Sequence, residues 1–236
     1  MQSVRTERDG EIAVIIVNNP PVNALSWHVR DGLKDAFEAA IADDGVKAIV
    51  LRCDGATYIA GADISEFGKP PQGANLPEVM NAVEKAPKPV VAAIHGTALG
   101  GGLETTLVCH YRVATPSAKL GVPEVKLGLL PGAGGTQRLP RIVGIEQAAI
   151  MCSLGEPISA QKALDTGLID AITGEDSLAA DAIAFARDAI AKGPRPTRDR
   201  PVTGDIAIVE KLKAENGRKW KGFDAPYANL RCIEAA

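Results

Sequence analysis

The chain has 236 residues, a formal net charge of −3 and 46% hydrophobic residues, which suits one large domain, or one domain with an appendage. Charged residues make up 23% and form no basic stripe, so the sequence predicts neither nucleic acid nor an anionic membrane as a partner. The longest apolar stretch, residues 89–102, is interrupted by His95-Gly96-Thr97 and is shorter than the ~20 residues that span a bilayer.

The amino terminus and the cysteines predict a cytoplasmic location. Residues 1–9 lack the apolar core of a signal peptide. The four cysteines have no CxxC spacing, and the three histidines form no HExxH motif. We therefore expect reduced thiols and no metal site.

Apolar, β-branched runs predict four strands, at residues 12–18, 48–52, 89–94 and 112–114. Between the first two, Ser26 is a candidate N-cap of a helix whose core stripe is Leu33, Phe37 and Ile41. Strands that alternate with helical segments favour parallel pairing, hence an α/β architecture.

The character of the chain changes after Gly174. Residues 177–192 predict a long amphipathic helix, and residues 205–216 predict another. The apolar positions of the longer helix include Leu178, Ile183, Phe185 and Ile190. Residues 193–201, rich in proline and charge, indicate a linker or an extended arm.

Three glycine-bearing segments stand out: residues 60–64, 96–104 and 123–136. Two follow predicted strands, where ligands gather in open α/β sheets, and glycine lets backbone N–H groups approach a ligand closely. Any one segment alone is more often a turn or a tight packing site. None matches GxGxxG or GxxxxGK[ST], so dinucleotide and P-loop sites lose their support.

Together with Pro21-Val22-Asn23-Ala24-Leu25 and with residues 130–139, these segments resemble the crotonase superfamily in order and spacing. The resemblance covers residues 12–191. It implies a spiral of ββα units as the catalytic domain, residues 1–193. Residues 194–236 would then be a linker and a C-terminal helical extension.

The resemblance also implies a site for an acyl-CoA thioester, with coenzyme A as part of the substrate and no separate cofactor. The backbone N–H groups of Ala62 and Gly101 would hold the thioester oxygen, where enolate charge develops. Coenzyme A contacts would come from Ala24, Ala62, Asp63, Ile64 and Ser65.

Glu104 and Glu124 match the positions of the family's acid/base glutamates. Adding water to an α,β-unsaturated thioester needs an activated water and a proton for the α carbon, and two carboxyl groups can share these tasks. The backbone of Gly132 would help to place the water. Alone, Glu104 could equally be a helix-start acid, and Glu124 would more often be a solvated loop acid; the matching pair favours catalysis.

Other candidates are weaker. His95 and His110 are more typical of core or capping residues than of bases. Lys126 and Arg138 could meet coenzyme A phosphates or form surface salt bridges.

Residues 221–226 and 233–236 resemble the junction in multifunctional fatty-acid oxidation proteins, where a hydratase half precedes a 3-hydroxyacyl-CoA dehydrogenase half. The hypothesis is that the chain is the amino-terminal portion of such a bifunctional enzyme, with the fused dehydrogenase as partner. This leaves the oligomeric state open, a homo-oligomer included.

The expected activity is the reversible hydration of trans-2-enoyl-CoA to 3-hydroxyacyl-CoA in fatty-acid β-oxidation. The same pair could also support Δ3-to-Δ2-enoyl-CoA isomerisation. The alternatives are another crotonase reaction, such as thioester hydrolysis or decarboxylation, and a non-catalytic module that binds coenzyme A. Both glutamates are present, which counts against these alternatives.

Overall fold

The computed structural model describes residues 3–236. The main sheet consists of β1 (Val4–Asp9), β2 (Ile12–Val17), β3 (Ala48–Cys53), β4 (Val90–Ile94), β6 (Tyr111–Ala114) and β9 (Ala171–Ile172), in that order. The smaller sheet consists of β5 (Thr97–Leu99), β7 (Lys119–Gly121) and β8 (Ile158–Ser159). In the main sheet β1 and β2 are antiparallel and the other neighbours are parallel, which confirms the predicted α/β architecture.

Helices connect these strands. They are α1 (Trp27–Ala42), α2 (Leu76–Glu84), α3 (Gly101–Leu107), α4 (Gly135–Leu154), α5 (Ala160–Asp165), α6 (Leu178–Lys192), α7 (Ala207–Asn216) and α8 (Ala225–Glu234). Short 3₁₀ turns occupy Ile64–Glu66, Pro123–Leu127 and Thr197–Asp199. Across residues 3–236, none of the helices has both the length and the apolar character that a membrane crossing requires.

The main sheet is covered on both faces, which explains why its strands read as continuous apolar runs. Alternate residues of β2 belong to two separate cores, with Ile15 on the α1 side and Ile16 on the α6 side. Leu33 and Phe37 of α1 are buried as predicted, whereas Ile41 is only half-buried. Most of the core therefore lies between the main sheet and the helices beside it.

Alanines, rather than the larger apolar residues, form the buried stripe of α6. Its fully buried residues are Ala182, Ala186 and Ala189, and the larger side chains of Leu178, Ile183, Phe185 and Ile190 are only half-buried. Small residues let the helix lie close over β3 and β4 while the larger side chains pack at its flanks. Hydrophobicity alone did not distinguish the two sets.

Strand β1 was not predicted because four of its six residues are charged. Only Val4 is buried, against α1 at Gly32, where a Cβ atom would lie 2.8 Å from the valine side chain. The charged residues face solvent at the edge of the sheet, where they discourage pairing with another chain. A strand at the edge of a sheet therefore forms here without the apolar pattern that predicts a buried strand.

The segment predicted as a linker or arm lies against the catalytic domain. Thr197 is buried, and its hydroxyl donates to the Leu107 carbonyl at 2.7 Å. Further on, α8 packs against α4, and the Gln137 side chain donates to the Cys232 carbonyl at 2.9 Å. Residues after 193 are therefore in direct contact with the helices that precede them.

A buried arginine ties α3 to the far edge of the main sheet. Arg112 is 1% exposed, and its guanidinium donates to the carbonyls of Leu168 at 2.7 Å, Cys109 at 2.7 Å and Thr106 at 3.1 Å. Its own backbone N–H donates to the Asp170 carboxylate at 2.8 Å. Because α3 carries Glu104, this arginine holds one end of the helix on which the candidate site depends.

Replacing Arg112 with Met is expected to lower the free energy of unfolding by about 3 kcal/mol, because the buried carbonyls of Leu168 and Cys109 would lose their donor and that of Thr106 would lose one of its donors. Urea unfolding would measure the loss. The control is Arg187→Met, whose exposed contact with Asp9 should contribute under ~1 kcal/mol. An equal, small change in both variants would contradict this role of Arg112.

Candidate active site

One cavity of about 450 Å³ brings together the residues predicted to be catalytic. Its lining includes Ala62, Gly101, Glu104, Glu124 and Gly132. These residues come from three separate parts of the chain, and the fold places all of them around one space.

The predicted coenzyme A residues are spread more widely. Ile64 lines the same cavity, whereas Asp63 and Ser65 line a neighbouring one of about 270 Å³. The Asp63 carboxylate accepts from the Ser65 backbone N–H at 2.9 Å and so shapes the turn between them. Ala24 lines neither cavity; its carbonyl accepts from the Asn19 side chain at 2.9 Å.

Glycine is required where α3 begins, because the helix lies directly on the segment that follows β3. A Cβ atom on Gly102 would overlap the carbonyl oxygen of Ile59. One on Gly101 would lie 3.8 Å from the backbone nitrogen of Ala62. The close approach therefore sets the Ala62 and Gly101 backbones side by side.

The backbone N–H groups of Ala62 and Gly101 are available to a ligand. Neither donates a hydrogen bond to any group within residues 3–236, and both residues line the cavity. Two adjacent N–H donors can together bind an oxygen atom that gains negative charge during a reaction. The arrangement is therefore able to act as an oxyanion hole.

Glu104 is held rigidly in the cavity wall. It is 2% exposed, and its Oε1 accepts the backbone N–H groups of Ala133 at 2.8 Å and Gly135 at 2.7 Å. Burial raises the pKa of Glu104, while these two hydrogen bonds act in the opposite direction. Oε1 is thus fixed in place as the acceptor of two backbone N–H groups.

Glu124 has a different environment. It lies in the 3₁₀ turn Pro123–Leu127, where its Oε2 is buried without a hydrogen-bond partner in the described part of the chain. A Cβ atom on Gly100 would lie 2.8 Å from Oε1, so glycine leaves room for the carboxyl group. Burial raises the pKa of Glu124 to about 7, and the charge of Glu104 contributes in the same direction. At neutral pH this carboxyl can therefore hold a proton.

An apolar rim surrounds the cavity mouth. It consists of Ile64, Phe67, Leu127, Leu129 and Leu130, which all line the cavity and are all exposed. The sequence analysis placed the three leucines in the glycine-bearing segment 123–136 but assigned them no role. Their signal was an apolar run within a glycine- and proline-rich segment.

The other candidate side chains lie outside this cavity. The Nδ1 atom of buried His110 accepts the Val90 N–H at 3.1 Å, which is a core role. His95 contacts the Gly55 carbonyl at 3.0 Å. Residues 3–236 contain no group of three or more His, Cys, Asp or Glu that could hold a metal ion.

Both cations considered for coenzyme A phosphates form salt bridges. Lys126 pairs with Glu156 at 2.8 Å on the surface, and Arg138 pairs with Glu84 at 2.9 Å.

Comparison with known proteins identifies a family. The enoyl-CoA hydratase/isomerase family profile matches residues 7–199. A probable enoyl-CoA hydratase of Bacillus subtilis is 44% identical over 72% of this chain and 68% of that protein. A crystal structure of enoyl-CoA hydratase from Bacillus anthracis has a TM-score of 0.75 and 30% identity, covering 100% of this chain and 92% of that one.

Longer proteins match as well. The peroxisomal bifunctional enzyme of Danio rerio is 43% identical over 95% of this chain, but the match spans 32% of that protein. The chain therefore has about a third of the length of its bifunctional relative.

Replacing Glu124 with Gln is expected to change how stability depends on pH. The pKa of Glu124 is 4.5 in the unfolded chain, and burial raises it to about 7 in the folded protein. The stability that protonated Glu124 contributes to the parent is therefore fully present below pH 4.5 and is lost as the pH rises through about 7. The variant lacks the buried charge. It should exceed the parent by roughly 2 kcal/mol at pH 8, after allowance for partial solvent exposure, and match it at pH 4.

Urea unfolding of both proteins at the two pH values measures the difference. Glu78→Gln, a change at an exposed residue of α2, is the control and should follow the parent. A constant offset between parent and Glu124→Gln across this pH range would contradict the raised pKa.

Proposed function

This chain belongs to the enoyl-CoA hydratase/isomerase family, and from that premise we propose that it reversibly hydrates trans-2-enoyl-CoA to 3-hydroxyacyl-CoA. The observation that carries the proposal is the meeting of two carboxyl groups, one buried and one half-buried, and two unbonded backbone N–H groups in one cavity. This set supplies a base, an acid and a site for negative charge.

The two glutamates would have different tasks. Glu104, with Oε1 fixed by two N–H donors, is suited to remain a carboxylate and to take a proton from water. The water oxygen then bonds to the β carbon. Glu124, with an unpartnered oxygen and a pKa of about 7, is suited to deliver a proton to the α carbon. The backbone of Gly132, in the same wall, would help to place the water.

Between these steps the carbon–carbon double bond becomes an enolate, and charge moves onto the thioester oxygen. The N–H groups of Ala62 and Gly101 would stabilise that oxygen, and losing one such donor costs ~10²–10³ in rate. No redox step occurs, since the elements of water are added and nothing is transferred to a carrier. The carboxyl pair supplies the whole chemistry, so the reaction would need no separate cofactor.

Substrate would enter past the apolar rim. Ile64 is 73% exposed and Leu127 is 69% exposed, and both line the cavity. Such a mouth suits a pantetheine arm and an acyl chain better than a charged substrate. Coenzyme A contacts would come from Ala24, Asp63 and Ser65 in addition to Ile64.

Isomerisation of Δ3-enoyl-CoA is a second candidate, because a carboxyl group that can hold a proton near neutral pH can also shuttle one between carbons. Thioester hydrolysis or decarboxylation would leave one glutamate without a task. A non-catalytic module would have no use for two carboxyl groups that are withdrawn from solvent in one cavity wall.

We also propose that the chain works as the hydratase portion of a bifunctional protein with a 3-hydroxyacyl-CoA dehydrogenase, as its resemblance to longer relatives suggests. Their names include peroxisomal and glyoxysomal enzymes of fatty-acid β-oxidation, whereas the sequence predicted the cytoplasm. The compartment and the homo-oligomeric state stay predictions. The catalytic domain would span residues 1–193, and residues 194–236 would be its helical extension.

The protein is expected to hydrate crotonyl-CoA, and Glu104→Gln and Glu124→Gln should each lower kcat by ~10²–10⁴ because each removes one proton-transfer group. The measurement is the loss of enoyl absorbance, with Glu78→Gln as a control that keeps the parental rate. A folded parent that binds coenzyme A without turnover would instead support the non-catalytic module. Conversion of 3-enoyl-CoA, assayed in parallel, tests the isomerase.

A further inference from the structure

Three charged side chains form a cluster behind the cavity wall. Glu84, at the end of α2, has a side chain 0% exposed and accepts from Arg138 at 2.9 Å and from Arg198 at 2.7 Å. The Arg198 backbone N–H adds a hydrogen bond to the same carboxylate at 3.0 Å. Burial opposes the charged form of Glu84, but the two guanidinium groups hold its pKa below the ordinary value. The cluster is thus a fully paired ionic group between α2, α4 and the segment after α6.

The cluster reaches the loop that binds Glu104. Nη1 of Arg138 donates to the Ala133 carbonyl at 2.9 Å, while the Ala133 N–H donates to Glu104 at 2.8 Å. Gly134 has a φ of 94°, and a Cβ atom there would overlap the Arg138 guanidinium. The guanidinium therefore lies directly over this turn and holds one of the two peptide groups that flank it.

We propose that Arg138, held by Glu84 and Arg198, is a positioning residue that fixes Glu104 for catalysis through the Ala133 peptide. The inference rests on the proposed hydration and deepens it. Arg138 itself does not line the cavity, so it touches no substrate there. It binds the carbonyl of Ala133 and so fixes this residue, whose N–H group, in the preceding peptide, sets the place of Glu104 Oε1.

Arg198, the third residue of the cluster, connects the segment after residue 193 to the active site. Arg198 lies in the 3₁₀ turn Thr197–Asp199, which the sequence predicted as linker or arm. Arg138 uses its Nε and Nη2 for Glu84 and its Nη1 for Ala133. Arg198 adds a guanidinium bond at 2.7 Å and a backbone N–H bond at 3.0 Å to the same carboxylate. Loosening Arg198 would thus free Glu84 and, through it, Arg138.

The test compares Arg138→Gln and Arg138→Lys with Arg141→Gln, a change three residues further along α4. Among residues 3–236 the Arg141 side chain bonds only to the Gln137 carbonyl of its own helix, so this control should keep the parental kcat. Arg138→Gln should lower crotonyl-CoA kcat by about 10²-fold with KM changed less than about threefold, because a displaced base affects chemistry more than binding. Arg138→Lys keeps the charge but cannot contact Glu84 and Ala133 in the same forked geometry, so it should restore little.

Amide hydrogen exchange gives a readout that does not depend on turnover. The N–H groups of Ala133 and Gly135 should exchange faster in Arg138→Gln than in Arg141→Gln, at equal global stability. Arg198→Gln should shift both readouts in the same direction by a smaller amount, about three- to tenfold in kcat. Because Arg198→Gln leaves residue 138 unchanged, it provides the test if Arg138→Gln folds poorly.

The proposal would be overturned if exchange at Ala133 and Gly135 were unchanged in both Arg138→Gln and Arg198→Gln. A kcat of Arg138→Gln within twofold of the parent would overturn it as well. A parent inactive toward crotonyl-CoA with the predicted exchange pattern would overturn the hydratase function and leave the positioning contact standing. The two failures are therefore distinguishable.

Discussion

Two carboxyl groups share the wall of one cavity, Glu104 buried and Glu124 half-buried with one oxygen out of contact with solvent, and their removal from water sets what the surrounding structure must provide. A buried charge opposes folding unless donors compensate for it. Glu104 has two backbone donors, from Ala133 and Gly135, whereas Glu124 has an oxygen with none among the described residues. This asymmetry separates a group suited to be a base from one suited to be an acid.

The rest of the fold places backbone groups close to these two carboxyl groups. Gly100 and Gly135 leave room for the carboxyl oxygens, and Gly102 lets α3 lie on the Ile59 carbonyl. Arg112 holds α3 from one side, while Arg138 holds the loop that binds Glu104 from the other. The parallel strands β2, β3 and β4 provide the rigid base, since they are buried on both faces.

The sequence predicted those parts of the structure that depend on local pattern. Apolar runs predicted β2, β3, β4 and β6 because both faces of each strand are buried, but β1 is a charged edge strand and was missed. The glutamates were identified by resemblance, since neither stands out by local chemistry. The Glu84–Arg138 contact joins residues 54 positions apart and depends on tertiary structure, so no local pattern could reveal it.

The most direct measurement is the rate of crotonyl-CoA hydration by the double variant Glu104→Gln/Glu124→Gln beside the two single variants. If both carboxyl groups act on one water and one enolate, removing the second adds little, and the double variant should lose about as much kcat as the worse single variant. A loss equal to the product of the two single losses would contradict joint action. So would a single variant that keeps the parental rate.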